Sequence, residues 1–499
     1  MRTFKLHILF LLVLAATTAT IYGSVMLVVD EEKRSWGNQL MITPGEYGFG
    51  MNTVAGSGRH LDPPATTIFH VNDINDYNDA EFAATPEDYY GTLRYAIEEV
   101  NSPKTIVFDV SGYIATKSPI FIGYNDPNLS EQKGSYITIA GQTAPSPGIC
   151  IKNYGLTIER WAHDILIQHV RIRPGDQSFT DLNCPDCLKE SIGDCVTALW
   201  SYYPESDPPV LPPRKIVMDH CSFTWGGDMN LQLGAVEMSI INCITGEALH
   251  SPLHPKGPHS KGMLLSGYVN TPVPDRNILV AKNLFISNVD RNPRIVARNA
   301  VVVNNVFIDI WSGINSDDTE WPDIPQNTSI AANYAIESDA MDPALGNGQF
   351  HAVSLMSQGN QLYIGGDSFY YGELQTEPYY HPNEYWVNID YPEGLLDSPS
   401  LWPYYFQKKT AADAYTYVLE NVGAFPRDSV DSRLVTTATN ITPGEPNGII
   451  ASEDEVGGYP AFAENVSVWE EPANPNDLHV SGYTNLEVAL HEAAAAIEP

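Results

Sequence analysis

The feature that most constrains this chain is a short cassette that returns along its middle. QHVRIRP (168–174), DHCSFTW (219–225), INCITGE (241–247), KNLFISN (282–288), NNVFIDI (304–310) and AANYAIE (331–337) each carry His or Asn at the second or third position. A short alternating apolar stretch follows each time. His220 to Asn242 spans 22 residues and Asn283 to Asn305 spans 22 again, while the other intervals are longer, as where loops are inserted between regular coils. A strand recurring at this pitch with Asn at the turn describes a right-handed parallel β-helix, because one coil cannot bury its inward face alone and must stack on the next. Asn suits the turns: it tolerates the left-handed region and hydrogen-bonds in ladders. A two-sheet sandwich is the alternative, but it gives turn signals every 8–12 residues or so without a recurring cassette.

Further segments fit strands: Thr105–Val110, Tyr136–Ala140, Ile149–Lys152 and Ile165–Ile172 are β-branched and apolar. Gly91–Val100 has helical apolar spacing and is expected to cap the N-terminal end of the stack. Helices are also predicted over Thr410–Val422 and Asn485–Ile497, the latter with Asn485 as N-cap. The stretch 340–405, rich in Tyr, Trp, Pro and Asp, reads as long loops packed over the coils. The organisation expected is a signal peptide over 1–23, an all-β parallel β-helix domain over 24–375 and a C-terminal loop and helix extension over 376–499.

The signal peptide rests on Arg2 and Lys5 before the apolar run Leu6–Ala16, with small residues following up to Ser24. A retained anchor is the alternative, since Val25–Val29 extends the apolar stretch, although Thr17, Thr18 and Thr20 weaken a membrane span. Secretion without stable membrane association is therefore expected. Export also changes how six cysteines read. Cys184 and Cys187 form a lone CxxC without a second pair at zinc spacing, so a disulfide framework among Cys150, Cys184, Cys187, Cys195, Cys221 and Cys243 is expected, with fifteen pairings open. Sequons at Asn128, Asn327, Asn440 and Asn465 are glycosylation acceptors in a eukaryotic secretory route. A net charge of −34 excludes nucleic acid as a general partner. A polyanionic substrate would need a local basic groove, bound calcium, partial esterification or screening salt.

Four segments within 194–298 carry groups suited to chemistry: Asp194 in GDCVTAL, the run Asp219-His220-Cys221-Ser222 through Trp225 to Asp228, His259-Ser260-Lys261-Gly262, and Asp290-Arg291-Asn292-Pro293-Arg294 with Arg298 beyond. On successive coils, about 4.8 Å apart, such residues converge into one groove. Carboxylates suit calcium, and Lys and Arg suit a uronate carboxylate. Each has a bland alternative: Asp194 as a turn residue, His220 as a ladder residue, Trp225 as core or as a sugar platform, RNPR as a basic surface loop.

Taken together, these residues resemble the pectate lyase family of polysaccharide lyases, in its secreted fungal and bacterial branch. The resemblance runs nearly end to end: Tyr47-Gly-Phe-Gly50, Gly91-Thr-Leu-Arg94, Phe108-Asp-Val-Ser-Gly112, Ile139-Ala-Gly-Gln-Thr-Ala-Pro145, Arg171-Ile-Arg-Pro-Gly-Asp176, the DHCS…WGxD cassette, Asp290-Arg-Asn-Pro293, Arg427-Asp-Ser-Val-Asp-Ser-Arg433, Val456-Gly-Gly-Tyr459 and Ser481-Gly-Tyr-Thr-Asn-Leu-Glu487. It implies a β-elimination on galacturonan in which a base takes the C5 proton and the C4 oxygen leaves. By position, Arg291 matches the base, Lys261 a lysine that binds the substrate carboxylate, and Asp194 and Asp228 two calcium-binding carboxylates. Arg294 and Arg298 are further substrate-binding candidates. A guanidinium acts as base only when neutral, and crowding by Lys261, Arg294 and calcium favours that form. The implied partner is polygalacturonate or pectin, cleaved by a secreted monomer. The competing reading is a non-catalytic β-helix that binds carbohydrate. A glycoside hydrolase would need paired carboxylates flanking the bond, and Asp317-Asp318 lacks the expected companions.

Departures from the family pattern are specific. Val296 stands where a second arginine is usual, Gln232 where many relatives have Asp, and Met229 where others have Glu. The resemblance therefore implies a thin calcium site that substrate carboxylates complete. No Asp-rich EF-hand-like loop occurs in 452–480.

Overall fold

The computed structural model describes residues 39–41, 48–78, 84–123, 129, 132–176, 193–198, 211–250, 258–266, 277–296, 299–316, 326–336, 351–355, 360–365, 369–370, 373–374, 387–403, 406–441 and 448–499. From Lys104 onward the chain visits three sheets in a fixed order, coil after coil. The first has ten strands, from Thr67–Val71 to Gln361–Ile364. The second has ten, from Gly112–Ala115 to Phe369–Tyr370 and the short Glu373–Leu374. The third has nine, from Ile120–Ile122 to Val387–Ile389. Neighbouring strands are parallel except the last pair of the second sheet. The architecture is the right-handed parallel β-helix, and a sandwich is excluded by the parallel pairing.

The repeating cassette is the corner between the first and second sheets. At that corner one residue takes a left-handed conformation on each coil: His169, His220, Asn242, Lys282, Asn304 and Ala332, with φ of 54°, 50°, 54°, 58°, 57° and 49°. The predicted strand Ile165–Ile172 is therefore two strands, His163–Gln168 and Val170–Arg173, bent at His169.

The residue after each left-handed one is buried, and from Cys221 onward these residues form a ladder along the helix axis. The Cys221 N–H reaches Cys243 Sγ (3.4 Å), the Cys243 N–H donates to Asn283 Oδ1 (2.8 Å), the Asn283 N–H to Asn305 Oδ1 (3.0 Å), and the Asn305 N–H to Asn333 Oδ1 (2.9 Å). Each side chain thus satisfies a backbone donor that the bend removes from the sheet.

That ladder corrects the disulfide expectation for four cysteines. Cys150, Cys195, Cys221 and Cys243 are buried free thiols. Cys221 and Cys243 occupy the ladder positions that Asn fills on later coils. Cys184 and Cys187 lie outside the described residues, as do the signal peptide and Asn128.

Inward side chains form one continuous apolar core from Phe69 to Ile364. Helix α1 (Leu93–Glu98) closes its N-terminal end, contributing Leu93, Ala96 and Ile97. Helices α2 (Ala411–Asn421) and α3 (Ser429–Asn440) pack on the second sheet, and α4 (Asn485–Ile497) on the first. The α4 cap is Thr484, one residue before the expected Asn485, in a capping box with Glu487. The described residues of 340–405 hold five short strands between His351 and Ile389, so the stretch is not loop alone; at two to five residues each, they are too short to show a period. Val387–Ile389 pairs with His351–Leu355, so the third sheet runs past residue 375. Among the described residues no helix is long and apolar enough to cross a membrane.

Candidate active site

Strands of the second sheet reach the third through connections of unequal length, and the predicted site residues sit on successive ones. Asp194 ends the connection before Val196–Ala198, Asp228 precedes Leu231–Leu233, Lys261 precedes Met263–Leu265, and Arg291 precedes Arg294–Ile295. Backbone bonds tie these connections together. The Cys195 N–H donates to the Asn230 carbonyl (2.9 Å), the Asn230 N–H to the Lys261 carbonyl (3.0 Å), and the Gly262 N–H to the Asp290 carbonyl (2.9 Å). Gly262 is required by that stacking, since a Cβ would stand 2.4 Å from Asn292 Oδ1. Arg291 itself is left-handed at φ 59°, held by Asn292, which is fully buried and donates from Nδ2 to the Ser312 carbonyl (2.9 Å). A non-glycine residue in that region is costly and is retained where surrounding structure fixes it.

The carboxylates and cations converge. Asp194 is buried, with Oδ1 accepting from the Met229 N–H (3.1 Å) and Oδ2 from Thr197 Oγ1 (2.8 Å). Burial, and next the charge of Asp228, push its pKa up to about 7, against smaller opposing contributions that include Arg291. Lys261 Nζ lies 3.7 Å from Asp228 Oδ1, and His259 Nε2 lies 3.0 Å from the same oxygen. Arg291 Nη1 lies 3.9 Å from Met229 Sδ, and its Nε lies 3.9 Å from Asp290 Oδ2. Arg294 is half-buried in an outward row with Thr197, Gln232, Leu264 and Asn315, consecutive partners in register across the third sheet. Arg298 lies outside the described residues.

The departures have a physical setting. Val296 packs with Met229 and Leu264 in a small buried apolar cluster beneath this corner. Charge expected at 296 and 229 is thus replaced by packing. His259 was visible in sequence only as part of the HSK segment; its contact with Asp228 depends on the fold.

Two other candidates belong elsewhere. Trp225 is fully buried, with Nε1 donating to Glu247 Oε2 (3.0 Å), and is core, not a sugar platform. His220 lies at the other corner, stacked on His169 with centroids 5.1 Å apart, as one of the left-handed corner residues. His169, His220 and Glu498 offer three ligand atoms close together. However, His169 Nδ1 accepts from the Phe425 N–H (3.3 Å), so Nε2 carries the proton and donates to Glu498 Oε1 (3.0 Å); a metal-bound imidazole has the opposite polarity.

Fold and site together define a parallel β-helix protein with a mixed cluster of acidic and basic side chains on one corner. A scan against protein-family models matched none. The chain is 27% identical over 486 residues to a probable pectate lyase C of Aspergillus oryzae, covering 90% of this chain and 93% of that protein. It is 24% identical over 428 residues to a probable pectate lyase C of Emericella nidulans, covering 84% and 80%. Among solved structures, the cedar pollen allergen jun a 1 aligns with a TM-score of 0.43 at 16% identity, over 76% of this chain and 92% of that one. A pectate lyase of Bacillus sp. N165 in complex with trigalacturonate aligns with a TM-score of 0.43 at 17% identity, over 72% and 96%. The chain is thus similar, over about nine-tenths of its length, to proteins named probable pectate lyases.

Proposed function

We propose that this chain is a secreted pectate lyase that cleaves (1→4)-α-D-galacturonan by β-elimination. The observation that carries the reading is the gathering of Lys261, Arg291 and two carboxylates on consecutive coils, in a chain homologous over nine-tenths of its length to probable pectate lyases. These cations supply the local basic surface that a polyuronate needs against a net charge of −34.

The metal question rests on Asp194 and Asp228. Two neighbouring carboxylates, one of them buried and pushed towards neutrality, fit a hard divalent cation, with water and substrate oxygens completing its six to eight ligands or so. Asp194 and Asp228 would hold calcium. Calcium, when bound, neutralises the uronate carboxylate and so acidifies C5. Lys261 and Arg294 bind substrate carboxylates, with Arg298 assigned the same task. Arg291 takes the C5 proton, the C5–H electron pair becomes the C4–C5 double bond, and the C4–O pair leaves on the glycosidic oxygen, which is protonated from water. Residues 1–23 direct export.

The test is incubation with polygalacturonate while following ultraviolet absorbance of the 4,5-unsaturated product, with calcium and then with chelator. Rising absorbance that chelator abolishes is expected. In Arg291→Ala the rate is expected to fall by about 10²–10⁴-fold, the usual contribution of a proton-transfer residue. Full activity in that variant removes the assignment. No absorbance from the wild type on either polygalacturonate or methylated pectin would favour a non-catalytic binding protein.

A further inference from the structure

We infer that His259 is a positioning residue that holds Asp228 for cation binding, an inference that rests on reading Asp194 and Asp228 as the calcium-holding pair. Its side chain is 2% exposed, and Nε2 lies 3.0 Å from Asp228 Oδ1. Lys261 approaches the same oxygen at 3.7 Å and is 19% exposed. One carboxylate oxygen thus has two cationic or donor neighbours of different character, one enclosed and one more exposed.

The backbone makes this arrangement rigid. Ser260, between the two residues, is fully buried and left-handed at φ 70°. Its carbonyl accepts from the N–H groups of Val289 (2.9 Å) and Asp290 (3.1 Å), and its Oγ accepts from Val289 as well (3.2 Å). The His259 N–H donates to the His250 carbonyl (2.8 Å). The HSK segment is therefore fastened to an earlier point of its own coil, through the Lys261 carbonyl to the coil before it, and to the coil that carries Arg291.

This division has a chemical use. Lys261 is the cation that reaches a substrate carboxylate, and in doing so it turns away from Asp228. With Lys261 as its only neighbour, Asp228 would lose its support at the moment of binding. An enclosed imidazole 3.0 Å from Oδ1 keeps that oxygen in place throughout and leaves the other oxygen for the metal. Such partners of ligating carboxylates change metal affinity by about 10–100-fold.

The experiment is calorimetric titration of the full chain with calcium chloride alone, together with a melting temperature for each variant. His259→Leu is expected to weaken calcium binding by about tenfold or more, and His259→Gln, whose side-chain amide presents an N–H at similar reach, to restore most of it. Should the leucine variant fail to fold, His259→Asn, whose amide is too short for the contact, takes its place. Wild-type affinity in the leucine or asparagine variant overturns the inference, and so does equal weakening in the glutamine variant, which would mark a packing role. In both cases calcium binding by the wild type leaves the lyase reading standing. A wild type that takes up no calcium overturns the calcium assignment and this inference together, while its absorbance assay decides the lyase reading separately.

Discussion

Replacing Asp431 by Ala tests how the C-terminal helices are held. Arg171 and Arg173 project from the second sheet and are fully buried. Arg173 places Nη1 2.5 Å from Asp428 Oδ2 and Nη2 2.7 Å from Asp431 Oδ1. Arg171 Nε lies 3.2 Å from Asp431 Oδ2, an oxygen that also accepts from Ser222 Oγ (2.8 Å). The remaining donors of Arg171 reach the carbonyls of Pro147, Ala424 and Pro426. Asp428 caps α3 and Asp431 lies in its first turn, so two guanidiniums and two carboxylates fasten α3 to the β-helix. Burial opposes the charge on Arg173, but Asp428 and Asp431 beside it keep its pKa well above the usual value.

Removing Asp431 leaves two buried cations facing one carboxylate, and breaking a buried pair in this way costs about 3–5 kcal/mol. The entropy of unfolding near 60 °C is about 2.1 cal/mol/K per residue, or about 1 kcal/mol/K for 499 residues. The melting temperature is therefore expected to fall by about 3–5 °C, read by scanning calorimetry. Arg171→Met combined with Asp431→Leu removes one charge of each sign and is expected to melt above Asp431→Ala. A single variant that melts with the wild type, or a double variant that falls as far as two separate losses summed, would refute the charge-pair account.

Three further outcomes follow from the geometry. Burial opposes ionisation of Asp219, but His220 and hydrogen bonds outweigh it and hold the pKa at about 2; Asp428 is likewise depressed, by Arg173 against burial. Carboxylates whose folded pKa is lowered contribute stability above about pH 4 that is lost as pH falls through the folded values, so melting temperature should drop from about pH 4 downward; a flat acid limb contradicts this. In unreduced protein unfolded by guanidinium at least four thiols should titrate, corresponding to Cys150, Cys195, Cys221 and Cys243, while in the native state burial, which pushes Cys150 up to about 12, keeps them unreactive. Produced through a eukaryotic secretory route, the chain should carry glycan on exposed Asn440 and not on Asn327, whose Nδ2 donates to Asn299 Oδ1 (3.1 Å); mass spectrometry of the peptides decides it.

The β-helix was legible because its corner repeats. A left-handed residue followed by a buried ladder residue leaves a His or Asn signal at each coil, whatever loop intervenes. Strand ends were read less well, as at His169, where an apolar run conceals a bend. The cysteines misled for a related reason: Cys221 and Cys243 look like a disulfide set by composition, yet serve as ladder residues by position. Helix α3 escaped periodicity because its buried face includes Asp431, an acid in place of an apolar residue. At the site, residue types and order were readable in Asp194, Asp228, Lys261 and Arg291. The contact of His259 with Asp228 joins two different coils, and no spacing within one segment encodes it.

Several of the segments that carry the resemblance to the pectate lyase family are scaffold. Gly50 of the GFG segment has φ 78° and leaves no room for a Cβ, which would stand 2.2 Å from the Glu237 carbonyl oxygen. Gly141 of IAGQTAP is as tightly placed, 2.4 Å from the His169 carbonyl oxygen. RIRPGD and RDSVDSR, more than 250 residues apart, are two halves of one buried ion cluster. Each of these has a role in stability alone, so resemblance in them speaks to the fold. The corner between the second and third sheets obeys a different logic. Burying Asp194 beside Asp228 opposes folding of the metal-free chain, and Arg291 is held in a strained backbone conformation. The burial of Asp194 does not help the β-helix stand, whereas the left-handed conformation of Arg291 is one that corner residues of other coils also take. On the proposed function, the buried Asp194 beside Asp228 and Lys261 is set by chemistry and not by stability.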